Sequence, residues 1–192
     1  MLAVLDAIKN RRSIRQYKPD PVSDDVIVQL LDCARLAPSA SNRQPWRFVV
    51  LKDPSIKKEL SRCAYGQHFV ESAPCMIVCC VDLTAYAPNG DGASTSELYG
   101  YLGECRFNSA IGTEHIVLAA VAFGLGTCWV HLFESQKVHE LLRLPDMTAV
   151  VTLLALGYPA ESPPPRPRLP LKSIILTPIP EACSLEVHGG TD

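Results

Sequence analysis

Cys75-Met76-Ile77-Val78-Cys79-Cys80-Val81, closed by Asp82, is an apolar run with no polar alternation. A strand covered on both faces has this pattern, because each side meets core rather than water. The run predicts a strand over Cys75–Asp82 inside a layered domain. Working outward, Arg47–Lys52, Thr127–Phe133 and Ala149–Gly157 read as three more strands. Weak strand potential at Ser173–Leu176 offers a fifth.

Helix signals fall between the strands. Leu2, Leu5 and Ile8, with Val4, make one stripe that ends near Asn10. Ser23 can cap a second helix, with Asp24 and Asp25 at its positive end and Pro38 as its limit. Ile27, Leu30, Leu31 and Ala34 give that helix a buried face. Asp53-Pro54 opens a third helix into Ile56–Ala64. A long helix runs from Glu104 to Phe123 and stops at Gly124, and Ser135–Arg143 forms a short one. Residues 83–101 are rich in small polar residues and read as a loop or lid. Pro163–Pro170 contains five prolines and reads as extended chain. The expected class is α+β, or mixed α/β, with a central mixed sheet of four to five strands flanked by helices.

Bulk composition narrows function by exclusion. The chain has 192 residues, 47% hydrophobic and 20% charged, which suits one globular domain and excludes a disordered one. Net charge is −2 with pI near 6.2, so no global field recruits nucleic acid or anionic lipid. The longest uncharged apolar window, Ile116–Val130, is too short to span a bilayer and is broken by Gly124-Leu125-Gly126. Eight cysteines occur with no CxxC spacing, and Cys75, Cys79 and Cys80 lie inside the apolar run. They read as reduced thiols in a cytosolic protein. The N-terminus places its apolar residues before its basic ones, the reverse of a secretory signal. Five histidines show no HExxH or facing pair, so no metal is expected. Neither GxGxxG after the first strand nor GxxxxGK[ST] occurs.

Local charge says more than the total. Residues 1–18 carry Lys9, Arg11, Arg12, Arg15 and Lys18 against Asp6, and Arg166, Arg168 and Lys172 follow the prolines. Two such segments can be separate solvated patches or one anion site assembled by folding. Arg11-Arg12-Ser13-Ile14-Arg15 sets three guanidiniums and a hydroxyl within five residues, donors suited to phosphate or carboxylate. In an extended chain Arg11, Ser13 and Arg15 share one face while Ile14 turns to the core. Pro38-Ser39-Ala40-Ser41-Asn42-Arg43-Gln44-Pro45-Trp46 is a stiff loop whose Asn42 and Gln44 amides suit the edge of a heterocycle; alone it also reads as a helix stop. Gly124-Leu125-Gly126-Thr127-Cys128-Trp129 lets backbone approach a ligand, or is a helix cap entering a core strand. Cys128 at a strand start is expected to be buried, away from the exposed, electropositive setting thiolate chemistry needs. Leu156-Gly157-Tyr158-Pro159, with Arg166-Pro167-Arg168-Leu169-Pro170-Leu171, holds two arginines in an extended frame.

In this order and spacing the four segments together resemble the FMN-dependent nitroreductase family, over about residues 4–176. The resemblance implies that Arg11, Arg12 and Ser13 take the phosphate and ribityl end of FMN. It makes Arg15 the cation near flavin N1 and O2, tuning a flavin that itself carries the chemistry, so no side chain is assigned as catalytic. Pro38, Ser39, Ala40, Asn42 and Gln44 match a loop that contacts flavin from the partner subunit. Thr127, Cys128 and Trp129 lie near the reactive edge, and Arg168, with Arg166 beside it, supplies a phosphate arginine.

The implied protein is a cytoplasmic, intertwined homodimer with shared flavin sites. It passes hydride from NADH or NADPH through flavin N5 to a nitroaromatic, quinone or related small-molecule acceptor, by ping-pong kinetics. A flavin-storage protein and the flavin-destroying or dehalogenating branch of the same scaffold are the alternatives. Many relatives carry an acidic residue and a Gln-Asn pair where this chain has Asn108 and Glu114-His115. These positions are expected at the dimer interface or ring edge. Residues 177–192 have no counterpart, which divides the chain into a domain over 1–176 and a tail.

Overall fold

A computed structural model describes residues 4–86, 94, 96 and 100–176. The helices are α1 (Val4–Asn10), α2 (Asp24–Arg35), α3 (Pro54–Cys63), α4 (His68–Ser72), α5 (Leu102–Ala122) and α6 (Ser135–Leu142). The strands are β1 (Trp46–Leu51), β2 (Cys75–Asp82), β3 (Gly126–Val130) and β4 (Thr148–Gly157). The sheet has the order β1-β2-β4-β3.

Alternation along β2 sorts the core. Cys75, Ile77 and Cys79 pack with Ile27, Leu30 and Ala34 of α2 and Ile116, Val117 and Ala120 of α5. Met76, Val78 and Cys80 pack on the other face with Leu60 of α3, Val70 of α4 and Val138 of α6. Residues 75–81 are fully buried, which is why the run carries no polar residue. A bulge shifts the register between Cys79 and Cys80, leaving Val151 of β4 between the paired positions Thr152 and Val150.

Helix starts follow side-chain chemistry. Ser23 Oγ accepts from the Val26 amide at 3.4 Å. Asp53 accepts from the amides of Ser55 at 2.8 Å and Ile56 at 3.0 Å, with Pro54 in the first turn. The Ser55 and Ile56 hydrogen bonds hold the Asp53 carboxyl below its ordinary range.

Several expectations need correction. The sheet is not mixed: all its strand pairs run antiparallel, and parallel pairing is confined to the isolated bridge between Ser13 and Thr127. The fifth strand at Ser173–Leu176 does not form, because Leu171–Ser173 is a 3-10 turn. The third strand stops at Val130 rather than Phe133. Helix α4 adds an element over residues that carried no helix signal. Of the loop or lid over 83–101, Leu83–Tyr86 is a 3-10 turn, and 87–93, 95 and 97–99 lie outside the described residues, as does the tail 177–192.

Two glycines let the basic N-terminal segment lie against the end of the sheet. A Cβ on Gly126 would sit 2.5 Å from Ile14 Cγ1, and one on Gly157 would sit 2.5 Å from Pro74 Cδ and 2.9 Å from Tyr17. The space at Gly126 is therefore taken by the chain's own Ile14. Ile14 donates its amide to Thr127 O at 2.9 Å, and Tyr17 pairs with Pro159. Residues 13–18 are thereby held against β3 and the segment that follows β4.

Candidate functional site

The two basic segments meet. Lys9, Arg11, Arg12, Ser13 and Arg15 line one wall of a cleft of about 520 Å³, and Arg166 and Arg168 line the other with Pro163, Pro164 and Pro165. Folding has assembled one cation cluster rather than two separate patches. Arg12 donates to the backbone oxygens of Lys9 at 2.7 Å and Arg11 at 2.8 Å, closing the C-terminal end of α1. Arg15 lies over the Phe69 ring, its guanidinium carbon 5.7 Å from the centroid, a cation–π contact that fixes its direction. The lining holds six cations and a hydroxyl with no carboxylate. That donor set fits the phosphate end of FMN, since guanidinium forks match its oxygens.

Behind this cleft, β3 begins at the bridge between Ser13 and Thr127. Thr127 and Cys128 are buried, and Trp129 is half-buried and stacked on His131 with ring centroids 5.6 Å apart. Burial pushes the Cys128 thiol up, with Arg15 and Arg11 opposing it only in part. Cys128 therefore lacks the accessible thiolate that nucleophilic chemistry needs. Glu114 is half-buried on α5, where burial raises its carboxyl while Arg11 and the Trp129 indole lower it. His115 instead lies against the Cys33 carbonyl at 3.1 Å.

The loop after α2 builds a second, separate feature. Pro38, Ser39 and Ala40 line a cavity of about 600 Å³ with Gly103, Glu104, Phe107, Asn108 and Ile111 of α5. It shares no lining residue with the basic cleft. Ser41, Asn42 and Gln44 have φ of 50°, 54° and 50°, left-handed backbone at three non-glycine residues. Each such position costs about 1–3 kcal/mol and persists only where surroundings impose it. Here the Gln44 amide donates to Ser39 Oγ at 2.9 Å and the Ala40 amide to Asn108 Oδ1 at 3.0 Å. Asn108 also donates to Tyr86 Oη and to Glu104 O. Asn108 is buried and braces the loop from α5. The side chains of Asn42 and Gln44 remain exposed at the tip.

The structure thus gathers Arg11, Arg12, Ser13, Arg15, Arg166 and Arg168 around one cleft, with the Thr127–Trp129 strand behind it. It leaves Pro38, Ser39, Ala40, Asn42 and Gln44 elsewhere on the same chain. Sequence reasoning missed Asn108 as a brace, Phe69 under Arg15, and Glu161. Glu161 Oε1 accepts from the amides of Arg15 and Gln16. No local pattern could reveal it, because the contact joins residues 146 positions apart. Among the described residues no group of three or more His, Cys, Asp or Glu is placed to hold a metal ion. Among the same residues no helix is long and apolar enough to cross a membrane.

The chain is similar to known proteins over most of its length. The chain is 37% identical to a protein of Thermus thermophilus named NADH dehydrogenase, covering 91% of this chain and 97% of that one. It is 28% identical to the FMN reductase [NAD(P)H] of Bacillus subtilis, covering 91% of this chain and 73% of that one. The fold superimposes on the NADPH:FMN oxidoreductase of Vibrio harveyi, solved in complex with NAD+, with a TM-score of 0.81 and 31% identity. That match covers 90% of this chain and 75% of the other. The sequence profile of the nitroreductase family matches residues 8–158, which include the first arginine segment, the Pro38–Trp46 loop and the glycine turn before β3. With so much of its length accounted for, the chain belongs to the nitroreductase family.

Proposed function

We propose that this protein passes hydride from NADH or NADPH through FMN to a nitroaromatic, quinone or related small acceptor, in a ping-pong cycle. Each flavin site in this reading is built from two copies of the chain. The activity itself, FMN-dependent oxidation of NAD(P)H, follows from family membership and from relatives named for FMN reduction. The acceptor, the order of steps and the shared site are the finer reading. The observation that carries it is the cleft whose lining has six cations and no carboxylate.

When bound, FMN supplies two-electron chemistry, accepting a hydride and later releasing it. The chain's own residues hold and bias it. Arg11, Arg12, Ser13, Arg166 and Arg168 grip the phosphate and ribityl end. Arg15, held by its contact with Phe69, would supply positive charge for the N1 and O2 edge of a bound flavin, where negative charge develops on reduction. Thr127, Cys128 and Trp129, joined to the cleft wall through the bridge between Ser13 and Thr127, would offer backbone groups near the reactive edge. Asn42 and Gln44 offer their exposed amides to the flavin of the other copy, with Pro38, Ser39 and Ala40 beside them.

Exposed apolar residues support the second copy. Ile8 on the rim of the basic cleft is 52% exposed, and Phe107 at the loop cavity is 69% exposed. Val4 and Leu5 continue the apolar face of α1, at 70% and 67% exposed. A homodimer would cover this surface. The seven described cysteines are free, which suits the cytoplasm.

A single shared flavin face forces the two substrates to alternate. Initial rates measured at several fixed acceptor concentrations are therefore expected to give parallel double-reciprocal lines. Converging lines would show a ternary complex and contradict the ping-pong assignment.

A further inference from the structure

The segment after β4 does more than deliver two arginines. Tyr158–Glu161 runs antiparallel to residues 15–18: Lys18 donates its amide to Tyr158 O and Ala160 donates to Gln16 O, both at 2.9 Å. At the end of this pairing a single oxygen, Glu161 Oε1, takes the amide of Arg15 and that of Gln16, the latter at 3.1 Å. Just beyond Glu161 the proline run begins and crosses to Arg166 and Arg168. Glu161 thus ties the N-terminal wall to the segment that leads into Arg166 and Arg168. It is half-buried and lies outside the cleft lining.

The charge of Glu161 matters as much as its reach. Six cations converge on the cleft and repel one another. A carboxylate accepting two backbone amides makes hydrogen bonds roughly twice as strong as neutral ones, without occupying a guanidinium the ligand needs. Backbone amides, not arginine side chains, satisfy it here.

We propose that Glu161 is a positioning residue for the anion site, pinning the Arg15–Gln16 backbone so that the Arg11–Arg15 wall and the Arg166–Arg168 arm keep one separation. This rests on the FMN reading of the cleft. Glu161→Ala removes both amide contacts, Glu161→Asp withdraws the acceptor by one methylene, and Glu161→Gln keeps an oxygen at the same reach.

The test reads FMN dissociation constants by flavin fluorescence, and amide exchange at Arg15 and Gln16 in flavin-free protein. Glu161→Ala is expected to bind FMN about 10- to 100-fold more weakly, with fast exchange at both amides. Glu161→Gln keeps the reach but loses the charge, so FMN affinity and amide exchange between those of wild type and Glu161→Ala are expected. If the alanine variant does not fold, Glu161→Asp carries the comparison, with weaker FMN binding and faster exchange expected. Wild-type FMN affinity and slow exchange in the alanine or aspartate variant would overturn the positioning role. Wild-type protein that fails to bind FMN would instead overturn the FMN reading, and the exchange data would still report on the pin.

Discussion

The Arg11→Ala, Arg168→Ala double variant is expected to lose FMN affinity by roughly 10²–10⁴-fold, at about 1.5–3 kcal/mol for each charge-assisted hydrogen bond removed. The two residues are more than 150 positions apart in sequence, yet line one cleft. Arg168 is exposed and Arg11 half-buried, so their truncation opens no core cavity. Removing Arg11 has a second consequence. Glu114 loses the cation that lowers its carboxyl, and burial then raises it further. Titration of flavin-free protein with FMN, followed by fluorescence, gives the affinity, and a thermal melt controls for folding. Wild-type affinity in the double variant would contradict the assignment of this cleft to phosphate.

The second large effect concerns assembly. The cavity beside the Pro38–Ala40 loop and the basic cleft share no lining residue, and the proposed site takes the cleft from one copy and the Asn42 loop from the other. Take Arg11→Ala and Asn42→Ala variants, each inactive alone, and co-express them as a mixed dimer. In a C2 dimer with shared sites, one site then carries both lesions and the other carries none. The purified mixed dimer is expected to recover about half of wild-type activity by this symmetry. A mixed dimer that stays inactive would place each site within one chain.

Much of this was legible in the sequence for identifiable reasons. Cys75–Asp82 was readable to its ends because burial on both faces leaves no room for a polar residue. Ser23 and Asp53 marked helix starts because their oxygens compete well for free amides. Helix α4 was not legible: it is five residues long, too short to show a period, and has no side-chain cap. It is held by tertiary contacts, with Val70 fully buried and the Lys57 ammonium on the Ala73 carbonyl. Strand direction was also hidden, because the same apolar pattern serves parallel and antiparallel neighbours.

The site divides in the same way. Arginine and serine in Arg11-Arg12-Ser13-Ile14-Arg15 declare their chemistry wherever they stand, and the fold needed only to bring Arg166 and Arg168 to them. Asn108 and Glu161 act through backbone amides 68 and 146 positions away, contacts that no local pattern encodes. Gly126 carried a true signal of close approach, and the group that packs against its Cα is Ile14.

The proposed function requires that this cleft hold a flavin that turns over with a nicotinamide. Anaerobic titration of the FMN-loaded protein with NADH and with NADPH, followed in the visible spectrum, tests it most directly. Stoichiometric bleaching of the flavin by at least one of the two nucleotides is expected, with return of the colour on adding a quinone. A protein that binds FMN through this cleft and stays yellow with both nucleotides would be a flavin carrier and not an NAD(P)H oxidoreductase.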